Sequence, residues 1–408
     1  MPPRLHRCVL SNRALRTAAA LAAALVLAAC GGGDSAPPAE APPPAANVLN
    51  VTLGISAVSK TPAASLDAFA DADPTGMVFA AWTGDTSVLL TPGERRSAVG
   101  VVTGTKNIAA TYKPLASFMP SSAVLNGVAA TDPSAVNAYW FFPAVPLRGI
   151  VFRFHGAGGN GSTQFSKVEE GKFMRDAVAG GFAVVSLDSV DRVNKTWDPT
   201  TVVANPAANA DVRNIQQLIA ALTTQGLMTA ATPLFASGHS DGAGAALRFA
   251  FLLGWKASHQ SCVPGVAQIA QATTVPGIWT MAQNDNIEDP QRDAKALDNS
   301  NALAARGIVS QYILVAPSAV YPGRFTQIAG LTKADSQAIY NSLKAASLLD
   351  ANDYQVRDPN LVDFVAVIPA AYQSFGKDIV DQLFVAYTAH KFSSATNRRV
   401  LAFFEARL

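Results

Sequence analysis

Along the chain of 408 residues, apolar positions follow two different rhythms. Between residues 47 and 115 they come in short runs bounded by Gly and Pro: Val48-Leu-Asn-Val-Thr-Leu53, then Met77-Val-Phe-Ala-Ala-Trp82 ahead of the turn Thr83-Gly-Asp85, and finally Asn107-Ile-Ala-Ala-Thr-Tyr112. Alternation between turns predicts a small antiparallel β unit. Beyond residue 120 the apolar runs are continuous and alternate with helical stretches. Segments 136–142, 148–154, 181–187, 233–237, 275–283 and 310–315 read as strands, and 173–179, 211–223 and 291–305 as helices. That order predicts an α/β domain over residues 120–408, with a mostly parallel sheet covered by helices on both faces.

Candidate chemistry sits where this second rhythm changes from strand to helix. Phe235-Ala-Ser-Gly-His-Ser-Asp-Gly-Ala-Gly244 places Gly238-x-Ser240-x-Gly242 between an apolar run and an Ala-rich helical run. A serine on so sharp a turn needs small neighbours two residues away on each side, because the chain passes close to itself there. The α/β-hydrolase fold displays its nucleophile in this way. It also places an oxyanion loop earlier in the chain, with an acid and then a histidine later. Strand 148–154 runs into His155-Gly-Ala-Gly-Gly-Asn160, whose glycines allow backbone N–H groups to face a developing negative oxygen. The expected donors are the N–H groups of Ala157 and Asp241, with the Asp241 side chain turned away into an ion pair or helix N-terminal role.

Of five histidines, His6 lies in the leader, His155 in the loop, His239 inside the turn and His259 too soon after it, which leaves His390 as the base. The acid is expected just past strand 275–283: Asp285 first, with Asp289 and Glu288 behind it. His155 and His239 are further candidates for contact with substrate. About seventy residues separate the last strand from His390, and segments 333–349 and 379–386 within them are helical in pattern. We expect 318–386 to be a helical cap inserted over the site.

The loop His155–Asn160, Asn194-Lys-Thr-Trp-Asp198, the helix Asp211-Val-Arg-Asn-Ile-Gln-Gln-Leu-Ile219 and Gly238-His-Ser-Asp-Gly242 occur in an order that resembles secreted esterases of the polyhydroxybutyrate-depolymerase and feruloyl-esterase group. The resemblance covers residues 120 to 290. It implies cleavage of carboxylic esters and a place for Trp197 near the acyl pocket. Ala243 departs from the glycine usual after the turn, and the disulfide cysteines common in that group are missing. A peptidase or amidase of the same fold, or a surface protein that binds without catalysis, is the alternative. Similarly, Phe79-x-x-Trp82-x-Gly84-Asp85 with Asn107-x-Ala109-x-Thr111-Tyr112 resembles one copy of a β-rich repeat of bacterial surface proteins, a spacer or adhesion module.

The amino terminus suggests where such an enzyme works. Arg4, Arg7, Arg13 and Arg16 precede the apolar stretch 18–29 and then Cys30 with three glycines, an export signal whose Leu27-Ala-Ala-Cys30 resembles a lipobox. Residues 1–29 are then the signal peptide, Cys30 carries lipid, and 30–46 form a Gly/Ala/Pro-rich tether. The expected location is the bacterial cell envelope, anchored on the outer membrane, or outside the cell. Cys8 leaves with the leader, so Cys262 would be the one thiol left and no internal disulfide forms. His and Cys do not cluster at metal-ligand spacing, so no metal or cofactor is expected. With a formal charge of +2 and no basic stripe, nucleic acid is not an expected partner. The partners implied are an ester substrate, small or polymeric, and a membrane reached through lipid on Cys30.

Overall fold

The computed structural model describes residues 47–408 apart from 116, 132–133 and 286–287, so the signal, Cys30 and the tether lie outside the described residues. The β unit is made of β1 Val48–Thr52, β2 Gly54–Val58, β3 Leu66–Ala70, β4 Met77–Gly84, β5 Arg96–Val99 and β6 Thr105–Pro114. They form two three-stranded sheets, ordered β1-β6-β4 and β2-β3-β5. Phe79, Trp82, Val99, Ile108 and Ala110 make the core between them. Trp82 is therefore a core residue, its indole N–H donating to the Glu94 carbonyl at 2.8 Å. One pairing departs from the antiparallel expectation: β1 runs parallel to β6. Four strands separate the two in sequence, long enough for the crossover that parallel pairing needs.

The larger sheet comprises β7 Ser121–Leu125, β8 Val136–Phe141, β9 Gly149–Phe154, β10 Phe182–Leu187, β11 Leu234–His239, β12 Ala257–Ser261, β13 Gly277–Ala282 and β14 Ser310–Val315, in the order β14-β13-β12-β11-β9-β10-β8-β7. The run from β10 through β9 to β14 is parallel, and β8 and β7 close the other edge antiparallel. Helices α1 Thr163–Ser166, α2 Val168–Ala179, α3 Ala210–Thr224, α4 Asp241–Leu253, α5 Ala267–Ala272 and α6 Arg292–Ala304 fall between strands, and α7 Lys333–Ala345, α8 Gly376–Tyr387 and α9 Asn397–Glu405 follow the last one. Two separate apolar layers pack on the sheet, one around Phe152, Phe154 and Phe249, the other around Phe173, Phe182, Phe235 and Phe404. This is the α/β-hydrolase fold, with helices on both faces of a mostly parallel sheet.

The patterning missed β12. Its residues Ala-Ser-His-Gln-Ser are all buried but mostly polar, so no apolar run marks the strand. Its His259 is satisfied inside the sheet, Nδ1 2.9 Å from Ser237 Oγ and Nε2 2.8 Å from Thr280 Oγ1, while Arg153 of β9 donates to the same Ser237 Oγ at 2.8 Å. Burial pushes the His259 imidazole well below its ordinary range, so it is a neutral structural link between three strands.

The β unit is tied to the sheet domain by charge. Glu94 accepts from the backbone N–H groups of Arg398 (3.1 Å) and Arg399 (3.0 Å), donors at the start of α9 that have no intrahelical carbonyl. Arg95 donates to Asp176 of α2 at 2.6 Å and also pairs with Asp73. Arg96 reaches the carbonyls of Ala316 and Pro317, at the start of segment 318–386. That segment has its own core of Val320, Phe325, Ile339, Leu343, Ile379 and Leu383.

At the junction, Glu169 of α2 accepts from Lys172 Nζ (2.9 Å), Gln382 Nε2 (3.0 Å), and the N–H (2.8 Å) and Oγ (2.6 Å) of Ser394. Burial alone would raise its pKa, but Lys172 and the Ser394 bonds outweigh that and hold it down to about 2. A carboxylate depressed in the folded state adds stability above its unfolded pKa, near 4.5, and loses it as pH falls toward 2. That contribution is about 3 kcal/mol. The urea midpoint is expected to fall steeply between pH 5 and 2, and more shallowly in Glu169→Gln.

Candidate active site

Ser240 stands between β11 and α4 with φ 58° and ψ −129°, a region that side chains seldom occupy. Glycine neighbours make the turn sterically possible. A Cβ on Gly238 would lie 1.8 Å from the Gly242 carbonyl oxygen, and one on Gly242 would lie 2.3 Å from that of Phe154. The strained backbone lifts Ser240 Oγ off the sheet toward His390, whose Nε2 is 2.7 Å away. On the other edge of the ring, Nδ1 lies 2.7 Å from Asp285 Oδ2. His390 sits in the loop between α8 and α9, and Asp285 lies just beyond β13. One hundred and fifty positions separate Ser240 from His390, and the sheet returns both to the carboxyl ends of its strands.

The other acid candidates lie elsewhere. Asp289 pairs with Lys295 at 2.8 Å and accepts from the Gln291 N–H, while the Glu288 side chain is 78 % exposed. The sequence reading did not single out Arg292, the first residue of α6. Its Nη1 donates to Asp285 Oδ1 at 2.5 Å and lies 2.8 Å from His390 Nδ1, and its Nη2 donates to Glu288 at 3.0 Å. No local pattern marks it, because the two groups it touches lie 7 and 98 positions away in the chain.

The loop His155–Asn160 backs onto Ser240, with Gly156 so close that a Cβ there would meet Ser240 Cβ at 3.0 Å. The cleft at Ser240 is lined by Gly156, Ala157, Gly158, His239, His390 and Lys391 among others. Asp241 opens α4, so its N–H has no intrahelical acceptor. Its carboxylate turns away and accepts from the Trp197 N–H at 2.9 Å. Burial raises its pKa, and the Trp197 bond and Arg248 oppose that rise.

One of the candidate substrate contacts is corrected by burial. Trp197 is 3 % exposed in the core, and its indole N–H donates to the His155 carbonyl at 2.7 Å. His155 is 1 % exposed, its ring tilted against that of Trp197 with centroids 4.6 Å apart and Nδ1 2.8 Å from the Gly156 carbonyl, and it borders the cleft at Ser240. Burial pushes its pKa down to about 4, so it is neutral. Trp197 holds the loop from behind. Trp197→Phe would strand the buried His155 carbonyl, an expected cost of about 1–3 kcal/mol measurable by thermal unfolding. His239 does line the cleft, its ring 5.2 Å from that of His390. Burial, reinforced by the charges of His390 and Arg153, holds it well below the ordinary imidazole range.

The expected cap stands to one side. No residue of 318–386 lines the cleft at Ser240; Asp378, Asp381, Gln382 and Val385 of α8 instead line an adjoining cavity that reaches His239. Asp381 also pairs with Lys391 at 2.7 Å, which draws α8 to the flank of the cleft rather than over it. Cys262 is buried behind the site, and burial, with Asp285 nearby, pushes its thiol up to about 12.

No family model and no curated protein matches the chain. Similar solved structures include a puromycin-hydrolyzing peptidase of Mycobacterium tuberculosis, 16 % identical over 48 % of this chain and 35 % of that one, with a TM-score of 0.35. The chain thus spans about a third of that peptidase's length. Est1E from Butyrivibrio proteoclasticus is 10 % identical over 55 % of this chain and 99 % of its own, with a TM-score of 0.35. An acetyl xylan esterase from Aspergillus awamori is 16 % identical over 45 % and 80 %, with a TM-score of 0.36.

Proposed function

We propose that the protein is a serine hydrolase that cleaves carboxylic esters through an acyl-enzyme intermediate. The supporting observation is the continuous relay Ser240 Oγ, His390 Nε2, His390 Nδ1, Asp285 Oδ2, with both links at 2.7 Å and the serine on a strained turn. In this reading His390 takes the Ser240 proton as Oγ adds to the carbonyl carbon, and Asp285 holds the ring with Nδ1 protonated and stabilises the imidazolium. The N–H groups of Ala157 and Asp241 receive the oxyanion. His390 then protonates the departing alcohol, and a water activated by the same base releases the acid. Export and attachment through lipid on Cys30 would place this activity at the cell envelope, facing small or polymeric esters.

A panel of 4-nitrophenyl esters, hydroxycinnamate esters, polyhydroxybutyrate, aryl polyesters and matched 4-nitroanilides tests the reading, with a fluorophosphonate label located by peptide mass. Ester turnover with the label on Ser240 is expected. Turnover of anilides at the ester rate would make the protein an amidase. No label and no turnover on any ester would leave a non-catalytic binding protein.

A further inference from the structure

Arg292 is 6 % exposed, and its guanidinium touches the acid and the base at once. Asp285 divides its two oxygens: Oδ1 accepts from Arg292 Nη1 at 2.5 Å and Oδ2 faces His390 Nδ1 at 2.7 Å. The two nitrogens, 2.8 Å apart, both point at one carboxylate. A neutral imidazole has one N–H, and the carboxylate is the stronger acceptor, so that proton belongs on Nδ1. Arg292 therefore does not hydrogen-bond the ring. It presses a permanent positive charge against the edge of His390 remote from Ser240.

Two consequences follow from this placement, which rests on the proposed triad. The charge-assisted bond prevents the Asp285 carboxylate from rotating away from the base. The same positive charge also withdraws part of the field that would stabilise an imidazolium. From these we infer that Arg292 is a positioning residue: it holds Asp285 in line with His390, and its charge opposes the charge that the ring gains on taking a proton. The other titratable and charged groups facing the pair are Glu288, bound to Arg292; Asp293 and the Cys262 thiol, within the field of Asp285; His239, across the ring; and Lys391, paired with Asp381.

The test is the pH dependence of kcat/KM on a 4-nitrophenyl ester for wild type, Arg292→Met and Arg292→Lys, with Ser240→Ala alongside. In Arg292→Met the opposing charge is gone, so the rising limb of the profile is expected to move up by about one pH unit. The plateau is expected to fall about tenfold or more as the acid loses its anchor. Arg292→Lys keeps the charge without the two-nitrogen fork, so its limb should return close to wild type while its plateau stays low. If Arg292→Met does not fold, Arg292→Lys carries the test, and an unchanged plateau there overturns the positioning role. An unmoved limb in Arg292→Met, with only its melting temperature lowered, overturns the inference and leaves a structural ion pair. No wild-type turnover, or turnover that survives Ser240→Ala, overturns the triad reading and this inference with it.

Discussion

Replacing Ser240 by alanine is expected to lower kcat for a short-chain ester by about 10⁶-fold while leaving the melting temperature near wild type. The hydroxyl makes one contact that matters to the relay, with His390 Nε2, and removing it leaves no buried group unsatisfied. His390→Ala should cost about as much, and the double variant no more than either single one, because the two act as a unit. Asp285→Asn is expected to lose about 10⁴-fold, since an amide facing Nδ1 favours the wrong tautomer. Stopped-flow measurement of the nitrophenolate burst distinguishes a lost nucleophile from slow deacylation. Residual turnover in Ser240→Ala comparable to wild type would move the chemistry to another group.

The second large effect is steric. Gly238→Ala puts a methyl carbon 1.8 Å from the Gly242 carbonyl oxygen, a distance no backbone can accept, so the turn that carries Ser240 has to open. A loss of stability of about 3 kcal/mol is expected from the forced shift. With the nucleophile displaced by an ångström or so, kcat should fall at least about a hundredfold. Gly244, two residues further along α4, is the control. Its Cβ would meet nothing within 4 Å, and Gly244→Ala should stabilise the helix by about 1 kcal/mol with activity retained. Equal melting temperatures for the two alanine variants would contradict the packing described for the turn.

These two predictions differ in how far the sequence alone supports them. The glycines flanking Ser240 and the position of His390 before the last helix could be read from order along the chain, because a nucleophile turn has a local signature and the base of such a fold follows a known sequence of elements. The patterning also marked six of the eight strands in the large sheet, since strands buried on both faces are continuously apolar. It failed at β12, where satisfied polar side chains replace apolar ones, and at β7, a short edge strand with four exposed positions.

Residue type and order therefore determined the fold class, the turn at Ser240 and the identity of the histidine facing it. Position along the chain ranked Asp285 ahead of Asp289 and Glu288, and the tertiary structure decided among them, because the strand end points Asp285 to the histidine while Glu288 turns to Arg292 and Asp289 to Lys295. It alone brought Arg292 against the pair and set Trp197 behind the loop that begins at His155. It also drew the β unit onto the sheet domain through Glu94 and Arg95. Each of these is a contact between side chains far apart in sequence, selected by burial and by the need to satisfy charge away from water. Local periodicity carries no record of such a choice.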